Sequence, residues 1–126
     1  MAVYTGLLIA AVVDFASHEW AATSHSLVAI AVLGVVTWHV TWQRRWVKSA
    51  LRKRLTHPER LLVAYNSLLA TVFTVANLTG LIVWSWGLEG VLLTVHDVTG
   101  IAFVPLIIGH LVLNRRRLAA KLRRRR

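Results

Sequence analysis

The sequence predicts an all-α, transmembrane four-helix bundle built from two similar helix pairs. Three observations predict it: long apolar runs free of charge, basic residues confined to two short stretches, and a second half that repeats the first. The 126 residues are 56% hydrophobic and only 16% charged, with a mean hydropathy of +0.58. A soluble domain of this size carries more charge and less continuous apolar sequence.

The first apolar segment, Ala2 to Val13, is short, since about 12 residues rising 1.5 Å each reach only about 18 Å. No Lys or Arg precedes its Leu7–Val13 run, so the charged start of a cleaved signal peptide is missing and the segment reads as a retained helix. The second segment, Trp20 to Gln43, contains no Asp, Glu, Lys or Arg, and neither does the third, Leu61 to Leu88. Each exceeds the roughly 20 residues that cross a bilayer core. The fourth, Val91 to Leu113, is interrupted only by Asp97 near its start. Between the second and third segments the sequence predicts a basic loop, Arg44–Arg60, in which Pro58 helps open the next helix. Pro105 predicts a kink in the fourth helix, tolerated by its neighbours in lipid. Residues Leu118–Arg126 read as a basic tail on the membrane surface, drawn to anionic lipid by about 1 kcal/mol per Lys or Arg. The whole chain, residues 1–126, reads as one transmembrane domain.

A formal net charge of +10 raises the question of nucleic acid, but its distribution answers it. All 15 Lys and Arg residues lie in Arg44–Arg60 or Arg115–Arg126, whereas Asp14, Glu19, Glu89 and Asp97 lie at the opposite ends of the spans. This is the positive-inside pattern. It predicts a plasma membrane protein, of the bacterial inner membrane type, with the basic stretches and both termini in the cytoplasm. Trp20, Trp84 and Trp86 form an outer aromatic belt, and Trp38, Trp42 and Trp46 lie toward the inner one. No aromatic interleaving accompanies the basic tail, which argues against nucleic acid as a partner and for membrane lipid. The chain has no cysteine, which excludes disulfides, thiolate-ligated iron–sulfur clusters and covalent c-type haem.

The two halves run in parallel. Tyr4-Thr5-Gly6-Leu7 is followed by His25, His39 and Arg44-Arg45, and Leu78-Thr79-Gly80-Leu81 by His96, His110 and Arg115-Arg116-Arg117. Such internal repetition implies two similar units packed on each other. His25 and His39 are 14 residues apart, as are His96 and His110. On an α-helix that spacing puts both imidazoles on one face, about 21 Å apart along the axis. The second and fourth segments run the same way, so His25 and His96 share the outer depth and His39 and His110 the inner. Each pair can supply two axial imidazoles to one iron. A polar side chain inside a span is costly and marks function, and neutral imidazole is a common ligand of haem iron. One such histidine would be an ordinary interhelical hydrogen-bonding group; four at matched spacing point to cofactor ligation.

On His25-x13-His39, His96-x13-His110, and the endings His39-Val-Thr-Trp-Gln-Arg-Arg-Trp and His110-Leu-Val-Leu-Asn-Arg-Arg-Arg, nearly the whole chain resembles the cytochrome b family in its broad sense. It is especially similar to small four-helix di-haem subunits of membrane oxidoreductases. The resemblance implies two non-covalent haem b groups passing electrons between the membrane faces, often to or from a quinone. It also implies an electron-transfer subunit working with other subunits of a redox complex, rather than a stand-alone enzyme. Gly6 and Gly80 lie near the depth of His25 and His96, and glycines of this family let a helix approach a macrocycle closely. Gly100, four residues after His96, is placed to do the same, or is a small-residue packing position. Gly34 falls on the face opposite His25 and reads as a packing glycine. Arg44, Arg45, Arg115 and Arg116 follow the inner ligands closely enough to be candidate propionate partners, or face lipid headgroups.

His18, beside Glu19 and Trp20, reads as a solvated histidine, and His57 in the basic loop as a non-ligand. Asn66, Ser67 and Asn77 read as packing polars, and no quinone site is located. The third segment has about 20 residues before its Thr-Gly and the first only four. A wall of the inner site is therefore expected from a partner subunit, or else from lipid or from residues ahead of the given start, and the outer site rests on more of the chain. Two other functions fit the same residues: histidines ligating chlorophyll-type pigment, and a haem-free assembly or transport subunit with a polar histidine relay.

Overall fold

The computed structural model describes residues 22–53, 56–88 and 90–123, with side chains to Arg115, and a few positions before Ala22 including Gly6. Most of the first apolar segment, with Trp20 and His18, lies outside the described residues. The described chain is all helical: α1 (Ala22–Trp42), α2 (Arg44–Lys53), α3 (Arg60–Trp86) and α4 (Val91–Arg123). Helices α1, α3 and α4 correspond to the second, third and fourth apolar segments. Their stretches Thr23–Trp42, Arg60–Trp86 and Val91–Arg115, of 20, 27 and 25 residues, are each long and apolar enough to cross a membrane.

Each helix end has a local cause. At Gln43 the backbone N–H is shared between the carbonyls of His39 and Val40, at 3.1 Å each. That tightening from i−4 to i−3 closes α1. The chain then re-enters helix as α2, which corrects the expected Arg44–Arg60 loop: ten of its residues form a helix. The reason is amphipathic spacing, with Trp46, Val47, Ala50 and Leu51 on one side and Arg44, Arg45, Lys48, Arg52 and Lys53 around the rest. At the other end of the bundle, Gly87 closes α3 in the left-handed conformation (φ 62°), its N–H donating to Val83 O at 2.9 Å. Only glycine takes that conformation without strain. Helix α4 runs through Pro105, and its backbone continues to Arg123, so the first residues of the expected surface tail extend the fourth helix instead.

Helices α3 and α4 are an antiparallel pair packed along their length, and α1 packs on α3 over a shorter stretch. Hydroxyls inside the spans turn back on their own helix, as Thr37 to Leu33 O and Thr99 to Val95 O do. This satisfies them without a partner helix. The buried hydrophobic core is thin among the described residues: Val32 (3% exposed), Ala50, Phe73 and Ala76. Among the described residues, a Cβ at Gly34 meets nothing within 4 Å.

In the basic segment, His57 is buried, its ring edge-on to Trp46 with centroids 5.9 Å apart. Its Nδ1 accepts from the Glu59 N–H at 3.1 Å, and the Trp46 indole N–H donates to Glu59 Oε2 at 2.8 Å. These contacts fasten α2 to the start of α3 and give His57 a structural role.

Candidate functional site

The site is organised by a seven-residue period on three helices. Positions i, i+7 and i+14 of an α-helix drift by only about 20° per step, so they line one face. On α1 that face carries His25, Val32 and His39; on α4, His96, Phe103 and His110; on α3, running the other way, Asn66, Phe73 and Gly80. The three helices meet in register and build three layers.

At one end the His25 and His96 rings face each other across α1 and α4, with centroids 5.9 Å apart and planes at 73°. At the basic end His39 and His110 do the same, at 6.5 Å and 81°. All four are partly buried. Between them, Phe103 stacks against the buried Phe73 at 5.3 Å, at the same helical level as Val32. The structure thus brings together the four histidines that the spacing picks out, in two pairs.

Each α4 histidine is held from α3 by its Nδ1. At the first layer, His96 Nδ1 lies 2.9 Å from Ala76 O. A carbonyl only accepts, so Nδ1 carries the proton and donates. The approach depends on Gly80, since a Cβ there would come within 2.7 Å of His96 Cε1 and 2.8 Å of Nδ1. Gly80 therefore abuts the imidazole itself. At the basic-end layer, His110 Nδ1 donates to Asn66 Oδ1 at 2.9 Å. The Asn114 amide makes its own 2.9 Å bond to His110 O, and its 3.5 Å approach to Nδ1 is too long to compete. The turn before His110 is braced as well: Tyr65 lies against Gly109 and donates to Leu106 O at 2.9 Å. In both layers the proton on Nδ1 leaves Nε2 as the nitrogen with a lone pair, the state a metal ligand requires.

The spacing of the pairs can be tested against one metal ion. Histidine nitrogen binds transition metals at about 2.0–2.1 Å, and with the half-width of each ring two imidazoles on opposite sides of one ion have centres about 6 Å apart. The two ring separations, 5.9 and 6.5 Å, fall on either side of that value. Among the described residues no group of three or more His, Cys, Asp or Glu could hold a metal ion. Pairs are too few for an all-protein zinc site, but they complete an iron already held in a porphyrin plane. The donor set fits haem.

The remaining candidates divide. A Cβ at Gly100 or at Gly6 meets nothing within 4 Å, so both present open backbone. Arg44 and Arg115 are exposed at the basic end. Arg44 and Arg45 line a cavity with Trp38 and Trp42, a lining that includes neither His39 nor His110. Ser67 and Asn77 do bond their own helix, to Val63 O and Phe73 O. Asn66 alone of the three reaches across, and sequence reasoning missed it together with Tyr65 and the Val32–Phe73–Phe103 layer. The available signal was the repeat of the histidine period on α3. No protein-family model, curated protein or solved structure matches the chain.

Proposed function

We propose that the chain is a transmembrane electron-transfer subunit that carries two haem b groups, one between His25 and His96 and one between His39 and His110. The observation that carries this reading is the pair of imidazole separations, 5.9 and 6.5 Å, repeated at two levels of the same two helices. Bound haem supplies an iron that gains or loses one electron. His25 and His96, and His39 and His110, would hold it, with the tautomers of His96 and His110 fixed through Ala76 O and Asn66 Oδ1. An imidazole whose Nδ1–H is hydrogen-bonded is a more basic ligand. It therefore favours the oxidised, more positive iron.

The basic end faces the cytoplasm in this reading, both termini with it, in a membrane of the bacterial inner type. Electrons pass between a partner redox subunit and a quinone or the other membrane face. The large exposed side chains of the spans, such as Leu27, Leu68 and Ile101, then face lipid or partner helices.

The test is haem content of the full-length protein purified after expression with haem supplied. Two b-type haems per chain and a low-spin bis-imidazole reduced-minus-oxidised spectrum are expected. A well-folded, membrane-inserted protein without haem overturns the assignment and leaves the polar relay. Extraction of a chlorin pigment would instead favour the pigment-binding reading.

A further inference from the structure

Where α1 gives way to α2, the chain forms a cavity of about 590 Å³ lined by Trp38, Thr41, Trp42, Arg44, Arg45 and Trp46, with Gln43 at the break. No acidic residue lines it. Trp38 and Trp42 are 58% and 75% exposed. The Thr41 hydroxyl donates to Thr37 O and the Trp46 N–H to Glu59. The two guanidinium groups are thus the charged donors of the cavity. Guanidinium is the side chain whose geometry matches a phosphate in bidentate fashion.

The cavity is continued along α1 by an apolar stripe. Leu27, Ala31, Gly34 and Trp38 recur at intervals of four, three and four residues, which places them on one face, and all four are exposed. Midway, Gly34 leaves a gap in which a Cβ would meet nothing within 4 Å. This face lies roughly 130° around the helix from the His25–Val32–His39 face at about 100° per residue, so it is separate from the layered site. A charged, aromatic-rimmed cavity at the end of a span, continued by an exposed apolar helix face, matches an amphiphile and not a soluble anion.

We propose that this is a binding site for one anionic phospholipid. Arg44 and Arg45 hold the phosphate, Trp38 and Trp42 flank the glycerol region, and an acyl chain lies along Gly34, Ala31 and Leu27. The proposal rests on the membrane half of the proposed function and is independent of haem.

The experiment is native mass spectrometry of the full-length protein released from detergent containing phosphatidylglycerol and phosphatidylcholine in equal amounts. Wild type is expected to retain one phosphatidylglycerol in preference to phosphatidylcholine. Arg44→Gln with Arg45→Gln is expected to abolish the preference. Arg52→Gln with Lys53→Gln, which removes the same charge from the far end of α2, is expected to keep it. Gly34→Leu is expected to weaken retention of both lipids at this site without changing net charge. Equal loss in the two double variants overturns the site in favour of diffuse charge attraction. Retention unchanged by Arg44→Gln with Arg45→Gln, or release of the lipid by inorganic phosphate, also overturns it. A chain that fails to partition into membranes at all sinks the membrane reading itself, a result distinguishable from insertion without lipid preference.

Discussion

The two layers use the same pair of residues, two histidines, and differ in what α3 offers behind them. At His25/His96 the support is bare backbone: Gly80 removes the Cβ that would strike the His96 ring, and Ala76 presents its carbonyl. At His39/His110 the support is side chains, with Asn66 on the imidazole and Tyr65 on the turn before it. A backbone acceptor cannot be removed by substitution, whereas an amide acceptor can be exchanged. The first layer is thus fixed by shape and the second tuned by chemistry.

Removing a ligand should have the largest effect. His96→Ala and His110→Ala are each expected to lower haem content from two per chain to one, measured by pyridine haemochrome against protein concentration. Loss of both haems from either variant would show that the layers do not form independently. Next comes the fit at Gly80. Gly80→Ala puts a methyl group inside the contact distance of the His96 ring, and overpacking of this kind costs about 1–3 kcal/mol. Haem loss confined to the His25/His96 layer, followed spectrally during thermal unfolding, is the expected result; unchanged occupancy would mean that the ring does not use the notch.

Asn66→Leu should act on the other layer alone. Loss of such a supporting hydrogen bond weakens metal-site affinity by about 10–100-fold, and a less basic imidazole raises the reduction potential of the iron it binds. A redox titration should find one midpoint moved upward and the other in place. Asn66→Asp should move the same midpoint downward. The smallest effect belongs to Tyr65→Phe, which deletes the bond to Leu106 O and should cost about 1 kcal/mol of stability, with both haems retained.

Much of this arrangement was legible in the sequence because it rests on two periodicities. Charge-free runs marked α1, α3 and α4, and the 14-residue spacing marked which histidines share a face and which share a depth. Helix α2 was hidden by composition: five of its ten residues are Lys or Arg, so it reads as a solvated stretch until its apolar residues are placed on a wheel. Asn66 was hidden for a different reason. Nothing local separates it from Ser67 or Asn77, and its meaning comes only from the register of α3 against α4. That register was available as Asn66-Phe73-Gly80, the period of the histidine-pair helices repeated on α3. Gly80 was read as a position where a helix approaches a macrocycle; in the structure it lies against the His96 imidazole.

The rise between the layers also has an electrical consequence. The histidines on each helix are 14 positions apart, which at 1.5 Å per residue is about 21 Å, roughly two-thirds of a hydrocarbon core about 30 Å thick. On the proposed function, an electron moving from one layer to the other would fall through about the same fraction of the transmembrane voltage, worth about 1.5 kcal/mol for every 100 mV. Val32, Phe73 and Phe103 fill the level between with hydrocarbon. In this reading the resting voltage biases which of the two irons is reduced, so the spacing of four histidines makes the chain a voltage-sensitive junction.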